Sequence, residues 1–264
     1  MNNQASIGFF DSGVGGLTVM REVAALLPNE NLVYLGDTAR LPYGNKSPST
    51  VIRFCLENAE FLRKQRIKLL MISCHTACSH AFEILKQSLP IPVIGVTQPG
   101  FQALVNASRT NCVAILGTAS TIASGVFQSL LQINFPTLEV HAIACPLFVP
   151  LVEDGLQSHA ATRSIVEHYL SPLKNTQVDS VLLACTHYPL LAVAIQEFLG
   201  PSVRLIEPAR FAAVEARTQL IKLNLLNPAN SPPSYRFFAS DDPEKFRHLA
   251  KTFFPFPIGK VELA

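Results

Sequence analysis

The chain has 264 residues, 48% of them hydrophobic and only 15% charged, so it can bury one large core or two smaller ones. Its formal net charge of +2 lacks the strongly basic balance of a nucleic-acid-binding surface. No apolar stretch approaches the roughly 20 residues that span a bilayer, and the first residues lack a signal-peptide pattern. The sequence therefore predicts a cytoplasmic protein that binds neither nucleic acid nor membrane.

Eight short apolar runs predict strands, which are, in chain order, Ile7–Phe10, Leu32–Leu35, Leu69–Ser73, Val93–Gly95, Val113–Leu116, Val140–Ile143, Val181–Leu183 and Val203–Ile206. Longer segments with helical spacing of apolar residues are Leu17–Leu27, Pro48–Lys64, Thr76–Leu89, Ala119–Leu131, Thr162–Leu170, Pro189–Leu199 and Ala209–Leu223. This alternation predicts an α/β protein with mostly parallel sheets flanked by helices. A loop is predicted over Asn227–Ser234, and the tail beyond it has the material for a strand, a helix and a final strand.

Two cysteine tripeptides follow predicted strands. Cys74-His75-Thr76 comes after the run that begins at Leu69, and Cys185-Thr186-His187 comes after the run that begins at Val181. Ligands of open α/β sheets bind beyond the carboxyl ends of the strands, so we expect both thiols to reach a cleft. A helix that begins at each cysteine should lower the pKa of its thiol. Two such thiols on opposite sides of one substrate can remove and supply a proton, as racemisation without a cofactor requires.

The two halves of the chain follow a similar plan. Each offers a strand, a polar loop and a helix, then a strand that ends in the cysteine; the first half runs from Asp11 to Cys74 and the second from Thr118 to Cys185. A true duplication and two generic α/β units both explain the pattern. Either way we expect two similar lobes with the active site in the cleft between them. We assign residues 1–97 plus 210–264 to the first lobe and 98–209 to the second.

The Gly-rich segment from Asp11 to Thr18 raises the question of a nucleotide site. A dinucleotide-binding loop needs a third Gly or Ala where Thr18 stands, and the Gly-Lys-Ser/Thr of a P-loop is absent. The anion bound at this loop could instead be a substrate carboxylate. Asp11 fits either an N-cap for the following helix or a partner for a neighbouring thiol.

A metal site is the main alternative for the cysteines. Its candidate ligands are Cys74, His75, Cys78, His80, Cys185 and His187, but neither cluster has a usual zinc spacing, so we predict no metal. Free cysteines are often buried as small hydrophobic residues, so Cys55, Cys112 and Cys145 are expected to be structural. The other histidines, His141, His159, His168 and His248, fit solvated or core positions.

Three segments together resemble the cofactor-independent aspartate/glutamate racemase superfamily, and glutamate racemases in particular. They are Phe10–Val19, Gly36–Gly44 and Ala184–Leu191, and the similarity extends from Ile7 to about Ala209. The resemblance implies interconversion of L- and D-glutamate, a small amino-acid substrate, no cofactor, and a supply of D-glutamate for peptidoglycan and thus for cell-wall biogenesis and cell shape. The resemblance is compatible with a homodimer as the oligomeric state.

The resemblance also implies roles for individual residues. The catalytic residues would be Cys74, Cys185, Asp11, Glu153 and His187, with Asp11 assisting Cys74 and Glu153 with His187 assisting Cys185. The substrate-binding residues would be Ser12, Pro42, Tyr43, Gly44, His75, Thr76, Thr118, Thr121, Thr186 and His187.

The chain departs from the superfamily at a few positions, and the departure at His75 lies beside the first cysteine. The superfamily's usual Cys-Asn-Thr-Ala-Ser is Cys74-His75-Thr76-Ala77-Cys78 in this chain. A protonated imidazole at position 75 could stabilise the Cys74 thiolate so well that it becomes a weak base, which predicts slow turnover and a gain of about tenfold in a His75→Asn variant. Racemisation of aspartate or another amino acid, and binding of an amino acid or a protein partner without turnover, are the alternative functions.

Overall fold

The computed structural model describes residues 2–228 and 232–264. The strands are β1 (Ile7–Asp11), β2 (Leu32–Gly36), β3 (Leu69–Ile72), β4 (Val93–Gly95), β5 (Cys112–Gly117), β6 (Glu139–Ala144), β7 (Ser180–Ala184), β8 (Arg204–Ile206), β9 (Tyr235–Ala239) and β10 (Val261–Leu263). The helices are α1 (Leu17–Leu26), α2 (Pro48–Lys64), α3 (His75–Ser88), α4 (Pro99–Ala107), α5 (Ala119–Ala123), α6 (Val126–Asn134), α7 (Phe148–Glu153), α8 (Ala160–Leu170), α9 (Ala192–Leu199), α10 (Pro208–Lys222) and α11 (Pro243–Phe253). In the described part of the chain, no helix is long and apolar enough to cross a membrane.

The chain divides into two compact units, Met1–Val96 with Ala209–Ala264, and Thr97–Pro208. The first unit holds a six-stranded sheet in the order β10-β9-β2-β1-β3-β4, and the second a four-stranded sheet in the order β6-β5-β7-β8. Neighbouring strands pair in parallel throughout the described residues. The predicted α/β class with mostly parallel sheets is therefore confirmed.

The two sheets share one topology. In β2-β1-β3-β4 and in β6-β5-β7-β8, the first strand of the unit lies between its second and third strands, and the fourth lies outside the third. The central strands β1, β3 and β7 are fully buried, as expected for strands covered by helices on both faces. Because Cys74 follows β3 and Cys185 follows β7, the two cysteines occupy equivalent places in the two topologies.

All eight predicted strands are present, and so are the strand, helix and strand predicted for the tail. The predicted loop Asn227–Ser234 includes residues 229–231, which lie outside the described residues; its other residues form no helix or strand. One helix prediction is wrong, because Ala119–Leu131 is interrupted at Gly125. The φ of Gly125 is +66°, a left-handed conformation that a continuous α-helix does not contain.

Two further differences concern helices around proline. The predicted helix Pro189–Leu199 begins as a 3₁₀ turn, Tyr188–Leu191, before α9. The short helices α4 and α7 were not predicted, since neither is long enough to show a clear apolar period.

A buried ion pair joins distant parts of the first unit. Lys68 Nζ lies 2.5 Å from Glu30 Oε2, and both side chains are buried, with exposed fractions of 0% and 2%. Lys68 also donates to the carbonyl oxygens of Asn3 (2.5 Å) and Leu225 (2.7 Å), while Glu30 accepts the backbone N–H of Asn227 (2.8 Å). Burial lowers the pKa of Lys68, and Glu30 opposes that shift.

Candidate active site

Cys74 lies at the junction of β3 and α3, where its carbonyl oxygen accepts the N–H of Cys78 (2.9 Å). The side chain is buried, and its thiol points to Ser12 Oγ at 3.9 Å. Burial, followed by the Asp11 carboxylate, raises the pKa of the Cys74 thiol to about 12, although an N–H of the first helical turn acts in the other direction. The expectation that the helix terminus lowers this pKa is wrong, because desolvation outweighs the helix dipole.

Asp11 lies at the end of β1, the strand next to β3. Its buried carboxylate accepts the N–H of Gly13 (3.0 Å), and the carbonyl oxygen of Gly13 accepts the hydroxyl of Tyr34 (2.9 Å). A Cβ at Gly16 would lie 2.6 Å from Asp11 Cβ and 2.7 Å from Ser73 Cβ, so only glycine fits there. This close packing explains why glycine stands at position 16 of the Gly-rich segment, and the explanation requires no bound nucleotide.

The predicted substrate loop Pro42-Tyr43-Gly44 is held by the buried carboxylate of Asp37. Asp37 accepts hydrogen bonds from Arg40 Nε (2.7 Å), from Ser240 Oγ (2.8 Å) and from the Tyr43 hydroxyl, to which Asn58 also donates (3.0 Å). Burial and Asp37 raise the pKa of Tyr43, which keeps its hydroxyl protonated. The hydroxyl of Tyr43 is thus engaged within the protein by Asp37 and Asn58.

Sequence reasoning did not assign roles to Asp37, Asn58, Ser240 or Tyr34. Asp37 belongs to the Gly36–Gly44 motif, and its place in that motif is a sequence signal that marks it as a candidate functional residue. Ser240 is distant in the chain and meets Asp37 only through the pairing of β2 with β9.

His75 is the first residue of α3 and is 4% exposed. Burial lowers its pKa to about 3, so the imidazole is neutral near neutral pH. The prediction that a protonated His75 over-stabilises the Cys74 thiolate is therefore wrong. The next residue, Thr76, is also buried, and its carbonyl oxygen accepts the Ser79 hydroxyl (2.9 Å).

In the second unit, Cys185 follows β7 and is 7% exposed. The adjacent His187 is buried, and its Nε2 lies 3.1 Å from Glu153 Oε1 at the end of α7. On the other side of the ring, Nδ1 lies 3.4 Å from the Thr186 hydroxyl. Tyr188 fixes this turn, because its hydroxyl donates to the carbonyl oxygen of Cys145 (2.8 Å).

Thr118 and Thr121 lie at the same sheet edge as Cys185. Gly117 and Ala184 are paired in register at the ends of β5 and β7, so the residues that follow them, Thr118 and Cys185, leave the sheet side by side. Thr118 caps α5 by accepting the N–H of Thr121 (3.3 Å), and the two hydroxyls lie 2.9 Å apart.

The structure thus groups the predicted residues within each unit. In the first unit, Asp11, Ser12 and Cys74 are close together; in the second, Glu153, Thr186 and His187 form one chain of contacts. Across residues 2–228 and 232–264, one group of at least three His, Cys, Asp or Glu side chains has its donor atoms within 4.8 Å of one another, and neither cysteine tripeptide contributes to it.

Known proteins match this chain over nearly its full length. A family model described as Asp/Glu/Hydantoin racemase matches residues 7–216. A glutamate racemase from Geobacter metallireducens is 42% identical over 256 residues, which cover 97% of this chain and 95% of that protein.

Solved structures agree with the sequence match. The crystal structure of a glutamate racemase isoform from Bacillus anthracis has a TM-score of 0.95 at 36% identity and covers 100% of this chain and 98% of its own. A glutamate racemase from Francisella tularensis was solved in complex with D-glutamate. Its structure has a TM-score of 0.94 at 34% identity, and the match covers 99% of this chain and 98% of that one. The resemblance found in the sequence is confirmed, and the chain belongs to the Asp/Glu/Hydantoin racemase family.

Proposed function

We propose that the protein is a glutamate racemase that interconverts L- and D-glutamate by a two-base mechanism. The observation that carries this proposal is the pair of cysteines, Cys74 and Cys185, at equivalent strand ends in two sheets of one topology. Relatives named glutamate racemase, one of them solved with D-glutamate, support this choice of substrate. The product D-glutamate would serve peptidoglycan synthesis.

In the proposed reaction, one cysteine acts as a thiolate and removes the α-proton, and the electron pair of the broken C–H bond remains on the substrate. The other cysteine, as a thiol, donates its proton to the opposite face and forms the new C–H bond. The reverse reaction exchanges these roles. A thiol with a raised pKa, as at Cys74, yields a stronger base for a weakly acidic α-proton once its own proton has been removed.

Each thiol has a neighbour that can take or return its proton. Asp11 is the proposed partner of Cys74, because its carboxylate, at the end of the adjacent strand, raises the pKa of that thiol. His187, oriented by Glu153, is the proposed partner of Cys185. Hydroxyls and backbone N–H groups would hold the substrate's polar groups and stabilise the carbanion. The residues proposed to do so are Ser12, Pro42, Tyr43, Gly44, His75, Thr76, Thr118, Thr121, Thr186 and His187.

Incubation with L-glutamate in deuterated water tests the function. We expect the α-proton signal to disappear in NMR spectra while the circular dichroism of the amino acid decays to zero, because racemisation exchanges the proton and inverts the centre. Parallel reactions with L-aspartate test the alternative substrate. Faster exchange of aspartate would contradict the glutamate assignment, and binding of glutamate without exchange would contradict catalysis.

The compartment and oligomeric state complete the proposal. None of the six cysteines, all of which lie in the described part of the chain, forms a disulfide, and a reaction that uses two thiols suits the reducing cytoplasm. The homodimer left open by the sequence is tested by sedimentation with and without glutamate.

A Glu153→Gln variant should retain its fold and lose kcat by about tenfold to a hundredfold, within the range of a general acid–base contribution. The amide can still contact His187 Nε2 but no longer stabilises a positive charge on the imidazole. Kinetics in both directions measure the change. The matched control is Glu167→Gln, an exposed carboxylate in α8 of the same unit. An unchanged kcat in Glu153→Gln would remove Glu153 from the mechanism.

The His75→Asn variant should give no gain in rate. Because the imidazole is neutral, its removal leaves the two largest causes of the raised Cys74 pKa, burial and Asp11, in place. The smaller amide should loosen the packing beside Cys74 and lower kcat/KM by up to about tenfold, or roughly 1.4 kcal/mol. Steady-state kinetics from pH 6 to 9 decide the matter. A tenfold increase would instead restore the idea of an inhibitory imidazole.

A further inference from the structure

A mixed cluster of potential metal ligands lies in the second unit, outside the site described above. It consists of Cys112, Glu139 and His141, whose donor atoms all lie within 4.8 Å of one another. Cys112 and Glu139 are register partners at the first positions of β5 and β6. His141 lies two residues after Glu139, so all three side chains leave the same face of the sheet.

The cluster combines a buried thiol with two accessible ligands. Cys112 is 2% exposed, whereas the side chains of His141 and Glu139 are 30% and 66% exposed. β6 is the outer strand of its sheet, which leaves these side chains accessible at the sheet edge. His141 Nε2 lies 2.8 Å from Glu139 Oε1, so the imidazole and the carboxylate already converge.

The charges of the cluster also suit a cation. Cys112 and Glu139, which are anionic when they bind a metal, lie side by side on paired strands, and the imidazole of His141 lies beside the carboxylate. A divalent ion would balance a thiolate and a carboxylate.

We propose that Cys112, Glu139 and His141 bind a divalent transition metal of the zinc type, with water as the fourth ligand. Sulfur, nitrogen and oxygen ligands together match the preferences of Zn²⁺, and its bond lengths place tetrahedral donors roughly 3.3–3.6 Å apart. The side chains need only small rotations to reach that spacing. Local sequence patterns do not indicate this site, because the cysteine and the other two ligands come from different strands.

The cluster lies at the opposite end of β5 from the residues of the candidate active site. Cys112 begins β5, whereas Thr118 follows the other end of that strand, roughly 20 Å away at the usual rise per residue. The metal would join the outer strand β6 to its neighbour β5 and stabilise this edge of the sheet. We therefore expect metal binding to leave racemisation unchanged.

Cobalt and zinc titrations of the full-length, metal-free protein test the proposal. Co²⁺ should bind with one equivalent and produce a thiolate-to-cobalt charge-transfer band, and Zn²⁺ should displace it. In Cys112→Ser the band should vanish, and in Cys112→Ser and His141→Ala the affinity for Zn²⁺ should fall by at least about a hundredfold, since a direct ligand is lost.

Two variants serve as matched controls. Cys145→Ser removes another buried cysteine of the same unit, and His168→Ala removes an exposed histidine; both should bind Co²⁺ as the unmodified protein does. Unfolding curves of the metal-free variants show whether each is folded. A charge-transfer band that persists in Cys112→Ser, or no binding by the unmodified protein at millimolar Co²⁺ and Zn²⁺, would overturn the proposal.

Discussion

Replacement of either Cys74 or Cys185 by alanine should slow racemisation by at least about a thousandfold, equivalent to roughly 4 kcal/mol of transition-state stabilisation. In the proposed mechanism, each variant lacks one of the two groups that remove and return the α-proton. Both side chains are small, so the fold should tolerate the change. Circular dichroism of L- and D-glutamate solutions measures the rates, and Cys145→Ala is the matched control with a buried cysteine outside the mechanism.

A second measurement separates the two thiols. A glutamate analogue that eliminates a leaving group after deprotonation needs only one base, so each variant should still process one enantiomer. The two variants should prefer opposite enantiomers, because in the proposed mechanism the two thiols act on opposite faces of the substrate. Racemisation near the unmodified rate in either variant, or the same enantiomer preference in both, would contradict the two-base proposal.

Replacement of Lys68 by methionine should lower the free energy of unfolding by about 3–5 kcal/mol, because it leaves the Glu30 carboxylate buried without its cation. The substitution also removes the hydrogen bonds from Nζ to the carbonyl oxygens of Asn3 and Leu225. Urea denaturation at neutral pH measures the loss. We expect the Lys68→Met/Glu30→Gln double variant to recover part of it, since the buried negative charge is gone.

The control for Lys68 is an exposed ion pair. Arg163 and Glu197 lie 3.2 Å apart with side chains 63% and 52% exposed, and Arg163→Met should change stability by less than about 1 kcal/mol. If Lys68→Met were as mild as Arg163→Met, and the double variant no more stable than the single one, burial would not govern this ion pair.

Much of the fold was predictable because its signals are local. The runs that begin at Leu69 and Val181 are short, apolar and followed by polar residues, which is sufficient to predict a strand end and to place Cys74 and Cys185 there. The break at Gly125 was missed because a single glycine is compatible with a helix until its backbone conformation is known. The pairing of Glu153 with His187 came from the family resemblance, since 34 residues separate them.

The sequence by itself determined the strands, most helices, the positions of the two cysteines and the family, because each depends on neighbouring residues or on contiguous motifs. Only the tertiary structure decided that the pKa of Cys74 is raised and that of His75 lowered, that Asp37 holds Tyr43, that Lys68 meets Glu30, and that Cys112 approaches Glu139 and His141. Burial and long-range strand pairing produce these features. Both depend on which distant segments pack together, and a single sequence does not state that packing.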